Sequence, residues 1–123
     1  MLPNTCSGIM ADPRIRTITI QTGVVRRLTK EKISYEKEAE DQAAKVAKYK
    51  EEGKEEAYIK KQEEVLRETT LMIGHCRQRL RKVYDDFSSI LKSESDLAET
   101  EVYLNAQQVL KDAEPHLDTT PHA

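Results

Sequence analysis

Large apolar residues recur every seventh position through the middle of the chain: Ile59, Leu66, Ile73, Leu80 and Phe87. Three residues after each lie Gln62, Thr69, Cys76, Val83 and Ile90, polar at first and then apolar. A strand would alternate every second residue. This is instead the a/d pattern of a helix that buries one narrow stripe, and no proline interrupts it. The spacing predicts a helix of roughly 35 residues, about 50 Å long. A stripe of that length cannot face water, so it requires partner helices from its own chain or another.

The preceding segment repeats the period with a thinner seam: Val25, Leu28, Lys32, Tyr35, Ala39, Gln42, Val46 and Tyr49, widened by Val24, Ile33 and Ala43. Lys32 and Gln42 interrupt it, and are expected to lay their stems along apolar neighbours while their heads reach water. Asp12 followed by Pro13 is a helix opening, an acceptor for free backbone N–H groups and then a residue with none to satisfy. Thr17, Ile18, Thr19 and Ile20 alternate like a strand, and Gly23 weakens a helix. A lone strand would have no partner in this sequence, so the helix is extended through them. Gly53 is the candidate left-handed helix stop, and so short a link sends the next helix back antiparallel. Gly74 marks either a weak point or a close helix approach. Ser93 to Asp96 make a second break, with Ser93 or Ser95 as the cap of a helix that turns Tyr103, Ala106, Val109, Leu110 and Ala113 to one side.

The predicted fold is therefore all-α: an elongated, coiled-coil-like antiparallel three-helix bundle with two long helices and a shorter third. Its helices are placed at about 13–52, 55–92 and 96–114 within a folded unit of 12–114. Residues 1–11 read as a disordered leader, with Met10 as a plausible alternative start, and 115–123 as a flexible tail.

Composition agrees with long helices that have wide solvated faces: 34% of the 123 residues are charged and 37% hydrophobic, with one Phe and no Trp. The net charge of -2 conceals a gradient. Arg14 to Lys30 holds five basic residues and no acid, while Asp85 to Asp118 is dominated by Asp and Glu. Solvated helix faces of opposite bias account for this, and a partner footprint is the competing account. Cys6 and Cys76 do not make a disulfide framework, which fits a reducing, cytoplasmic setting. No signal-peptide core and no membrane span is read in the sequence.

Chemistry is mostly missing. Di-metal bundles supply Glu-x-x-His, but Met72, Ala113 and Thr119 stand three before His75, His116 and His122. His75 and Cys76 are adjacent and diverge by about 100° on a helix, too few and too splayed for a zinc site. No Gly-rich phosphate loop, G-x-S-x-G or H-E-x-x-H occurs. No catalytic, cofactor-binding or metal-binding residue is assigned, and an enzyme is not expected. The clusters Arg26, Arg27, Lys30 and Arg77, Arg79, Arg81, Lys82 could touch phosphates, but acids outnumber bases overall and no aromatic interleaves the basic run. Nucleic acid is not expected as a partner. What remains is a helical protein-binding module.

The residues also carry a resemblance. Met10-Ala11-Asp12-Pro13-Arg14, the run Gln21 to Leu28, Tyr35-Glu36-Lys37-Glu38-Ala39 and Ile59-Lys60-Lys61-Gln62 come in this order. Met72-Ile73, Cys76, Arg79-Leu80, Asp96-Leu97, Tyr103 and Ala106 follow. Their collinearity from Met10 to about Ala113 resembles the tubulin-binding cofactor A family. The resemblance implies a chaperone that captures β-tubulin released from chaperonin and holds it until other cofactors build the α/β heterodimer. It implies no metal and no nucleotide hydrolysis. It also implies a cytoplasmic, cytoskeleton-associated protein, monomeric or homodimeric, binding through helical faces. Arg26, Arg27, Tyr35, Glu36, Lys37 and Glu38 on the first helix, and Met72, Arg77, Arg79 and Arg81 on the second, are the candidate β-tubulin contacts. Their basic patches suit an acidic partner surface. The leader before Met10 and the tail from Pro115 depart from the family, and Gly74 stands where members often carry proline. The competing class is a helical coiled-coil scaffold, with no tubulin role, whose seam pairs between chains.

Overall fold

The computed structural model of the chain describes residues 12–117. Three α-helices run through it: α1, Pro13–Glu51; α2, Glu56–Ser93; and α3, Glu101–Ala113. No strand occurs among the described residues, and the expected antiparallel three-helix bundle is what forms. The expected leader, residues 1–11, and positions 118–123 of the expected tail lie outside the described residues.

α1 starts where the sequence indicates. The Asp12 carboxylate accepts from the Arg14 N–H at 2.9 Å, with Pro13 in the first turn. The strand-like stretch is helical, and the helix satisfies the hydroxyls of its threonines. Thr17, Thr19 and Thr22 donate their hydroxyls to the carbonyls of Pro13, Ile15 and Ile18, four residues back. Ile15 and Ile18 meanwhile turn inward and are buried. At the other end Gly53 takes a φ of 71°. Its N–H donates to the Lys50 carbonyl at 3.2 Å and the Lys54 N–H to the Tyr49 carbonyl at 3.0 Å, a glycine-capped helix end that turns the chain back.

α1 and α2, 39 and 38 residues long, then lie antiparallel. The ion pairs between them run in opposite order along the two helices: Lys50 to Glu63, Glu36 to Arg77, and Arg14 to Glu94 just past the end of α2. The a/d positions of the two helices face each other, but of the residues expected to widen the stripe of α1 only Val24 is half-buried, and Ile33 and Ala43 are exposed. Val25, Leu28, Ile73, Cys76, Leu80 and Phe87 are buried, and the remaining seam positions of α2 are half-buried. The two polar interruptions differ from expectation, since Lys32 is buried and the Gln42 amide is engaged across the seam. Lys32 is 5% exposed, with its ammonium 2.9 Å from a Glu36 carboxylate oxygen and donating to His116 Nδ1 at 3.3 Å. Gln42 donates across the seam to the side-chain and backbone oxygens of Gln62, both at 2.9 Å. A polar group taken out of water needs a partner, and both find one on another element.

α3 begins later than the break at Ser93–Asp96 suggests. Glu94 and Asp96 accept from the Arg14 guanidinium at 2.8 Å, which draws these acids away from a helix start. Ser95–Leu97 form a single 3-10 turn, and the cap passes to Thr100, whose Oγ1 accepts from the Tyr103 N–H at 3.2 Å. Arg14 thereby joins the opening of α1 to the link between α2 and α3. The same guanidinium, chiefly by its side-chain hydrogen bond, holds the Asp12 carboxyl below the usual carboxylate range. α3 returns antiparallel to α2: Tyr103 donates to the Leu91 carbonyl at 2.6 Å near its start, and Tyr84 to Glu114 at 2.9 Å near its end. The expected tail is docked over its first residues: Glu114–His116 form a second 3-10 turn and Leu117 is buried.

The bundle is consequently uneven. Ile18, Val25, Leu80 and Phe87 are almost fully enclosed where three helices meet. Between residues 33 and 72, where only α1 and α2 remain, Val46 is the single buried residue. At Gly74 no atom lies within 4 Å of where a Cβ would stand, so close helix approach is not its role. Phe87→Ala should cost about 3–5 kcal/mol of unfolding free energy. Gly74→Ala should add about 0.5–1 kcal/mol. Urea titration of both variants followed by circular dichroism checks the pair, and a destabilised Gly74→Ala would show that the glycine serves a bend.

Candidate functional site

In an antiparallel pair of heptad helices the e positions face each other on one flank of the seam and the g positions face each other on the other. With Val25 and Ile59 as a positions, the ion pairs Lys50–Glu63 and Glu36–Arg77 both join e to e. α3 covers this same flank at one end, touching Tyr84 and Leu91, also e positions. Past His116 that flank continues as a shallow groove of about 480 Å³ lined by residues that include Val46, Lys50, Glu63 and Leu66. The g flank has no covering element among the described residues. By heptad position it takes in Thr17, Val24, Glu31, Glu38 and Lys45 of α1 and Tyr58, Val65, Met72, Arg79 and Asp86 of α2.

The ten residues singled out in the sequence are divided by this geometry. Arg27, Glu38, Met72 and Arg79 lie on the open flank and are exposed, and Tyr35 borders it, half-buried at a d position of the seam. Glu36 and Arg77 lie on the e flank and bind each other at 3.8 Å, with Glu36 also holding Lys32. Arg81 pairs with Asp85 one turn on, at 3.2 Å. Arg26 and Lys37 point outward from α1 and are exposed. The structure thus brings together five of the ten, across two helices, and assigns three others to ion pairs within the fold.

Two residues on the open flank were not singled out by sequence. Tyr58 and Val65 precede Met72 at intervals of one heptad, and the three are 44%, 40% and 39% exposed. The signal was present, since apolar residues at three successive g positions of α2 lie outside the a/d seam. Tyr58 packs its ring against Tyr49, with centroids 5.2 Å apart, so the end of the row is itself ordered.

Cys76 is buried in the seam, and burial pushes its thiol up, with Glu31 adding to the rise and Arg79 opposing it. Burial likewise raises the Tyr84 phenol, helped by its bond to Glu114. Among the described residues no cluster of three or more His, Cys, Asp or Glu is placed to hold a metal ion, and no helix is long and apolar enough to cross a membrane. What the arrangement offers is a long surface that alternates apolar and charged groups.

The family model for tubulin binding cofactor A matches residues 13–110. The tubulin-specific chaperone A of Mus musculus is 54% identical over 101 residues, covering 82% of this chain and 94% of its own. The tubulin-folding cofactor A of Arabidopsis thaliana is 37% identical over 107 residues, covering 85% and 95%. Among solved structures, human tubulin chaperone cofactor A superposes with a TM-score of 0.74 at 48% identity, covering 83% of this chain and 99% of that one. The crystal structure of the Arabidopsis thaliana cofactor gives 0.78 at 36% identity, covering 84% and 97%. The raised Cys76 thiol should be alkylated slowly by iodoacetamide at pH 7.5 in the folded protein and rapidly in urea, as read by mass spectrometry of its peptide. Equal rates would contradict the burial.

Proposed function

The chain belongs to the tubulin binding cofactor A family, and on that premise we propose that it is a tubulin-folding chaperone, capturing β-tubulin intermediates released from chaperonin. It holds them, without catalysing a reaction, and passes them on through other tubulin-folding cofactors for assembly with α-tubulin. It acts in the cytoplasm, close to the cytoskeleton. The observation that carries this reading is the match that spans α1, α2 and most of α3, with relatives named tubulin-specific chaperone A in animals and a yeast and tubulin-folding cofactor A in a plant. The long, charge-rich faces of α1 and α2 support binding by helix surface rather than by a pocket or loop.

The a/d seam closes between α1 and α2 of one chain, which supports a working monomer over a scaffold whose seam pairs between chains. Native gel electrophoresis of the purified protein with chaperonin-released β-tubulin, with α-tubulin and with assembled heterodimer tests the proposal. A complex with β-tubulin alone is expected. Capture of none of the three would remove the chaperone reading and leave a helical adaptor.

A further inference from the structure

Residues three, four and seven positions away from a helical residue share its face. Around Gly23 on α1 those positions are Arg16, Thr19, Ile20, Arg26, Arg27 and Lys30, all exposed, with Arg27 where this outward face meets the open flank. Four of them are cations and none is an acid. α1 carries no acid between its cap Asp12 and Glu31, and residues 1–11 contain none. The four cations enter no ion pair among the described residues, whereas Arg14, Lys32, Lys50, Arg77 and Arg81 all do. Acids of the adjoining stretches are engaged elsewhere. Asp12 holds Arg14, Glu36 holds Lys32 and Arg77, and Asp112 of α3 accepts from Gln108. Glu31 is half-buried at its g position, close enough to the seam to act on Cys76.

This arrangement works against the helix that carries it. Arg26 and Lys30, one turn apart, are like charges at the spacing where opposite charges stabilise. Gly23 weakens the middle of a helix, and no atom lies within 4 Å of where its Cβ would stand, so no contact inside the molecule calls for a glycine. Around it lies a shallow hollow of about 540 Å³, lined by Gly23, Arg26, Arg27, Lys30, Glu31 and Ser34. The outward face of α2 mixes the two signs instead, with Lys60, Lys61 and Arg67 among Glu64 and Glu68.

We propose that this face of α1 is the docking site for a short, extended acidic segment of a partner protein, which crosses the helix over Gly23 with its carboxylates against Arg16, Arg26, Arg27 and Lys30. The segment is extended because the convex face of a single helix offers no groove for a second helix. It is short because five acids lie between Glu31 and Asp41, so a long uniform polyanion such as a nucleic acid would run on into like charge. From Arg16 to Lys30 is about 21 Å along the helix, a distance that roughly six or seven extended residues span. The assignment is independent of the chaperone reading, since none of its observations involves a tubulin.

Two fluorescein-labelled peptides of about ten residues test it, identical except that one carries glutamates where the other carries lysines. Fluorescence anisotropy with the full chain should show the glutamate peptide binding at least about tenfold more tightly, with the difference shrinking as salt rises. Arg26→Glu with Lys30→Glu should erase that binding. Lys60→Glu with Lys61→Glu, an equal change of net charge on α2, should leave it within about twofold at physiological salt. Gly23→Gln fills the hollow without changing the charge and should weaken binding at least about threefold, while Gly74→Gln on α2 should not. None of the substituted positions is buried, and glutamate and glutamine suit a helix, so circular dichroism should show no loss of helix. Loss and weakening confined to the α1 variants support the docking face. Undiminished binding by either α1 variant, equal loss from the α2 variants, or no preference between the peptides overturns it. Tighter binding of an oligothymidylate or of a phosphatidylserine-containing vesicle than of the glutamate peptide also overturns it.

Discussion

Everything in this molecule depends on the contact between one apolar stripe on α1 and one on α2. Each stripe is a single seam wide, so neither helix has a core of its own, and each becomes stable only when the other is in register. Register is set by pairs that mismatch if the helices slip. Gln42 meets Gln62 at the level where both stripes turn polar. Removing either partner, or sliding by one heptad, would leave a half-buried amide without its partner. Polar seam residues therefore choose one alignment from several that apolar burial alone would tolerate.

The third helix acts locally. It thickens the bundle where α1 begins and α2 ends, and Arg14, Thr100 and the Tyr103–Leu91 bond fix it there. The other half of the rod is left as a bare pair with only Val46 buried between residues 33 and 72. A bundle built this way pairs a firm end with a thin, amphipathic one, and on the thin end apolar side chains remain partly in water. Apolar side chains left partly in water at regular spacing are the kind of surface that protein partners cover.

Much of this was legible in the sequence. The heptads named the seam residue by residue, Gly53 named the turn, and Asp12-Pro13 named the start. These are local signals, carried by residues close together in the chain. What escaped depends on distant residues meeting. Glu94 and Asp96 look like a helix opening until Arg14, some 80 positions earlier, draws them aside and moves the cap to Thr100. Lys32 looks solvated until His116 arrives, and Pro115 looks like the start of a tail until Leu117 is seen to be buried. For the candidate site, the residue types were readable but their grouping was not. Whether Arg77 and Arg79 share a surface depends on which flank α3 covers, and no local pattern states that.

Hydrogen–deuterium exchange of the free protein, resolved along α1 and α2, tests the central claim that stability is graded along the rod. The account predicts strong protection in 13–32 and 73–93, where three helices meet, and markedly faster exchange in 33–72. Uniform protection along both long helices would contradict it, because it would mean that the two-helix half needs no partner to be as firm as the rest.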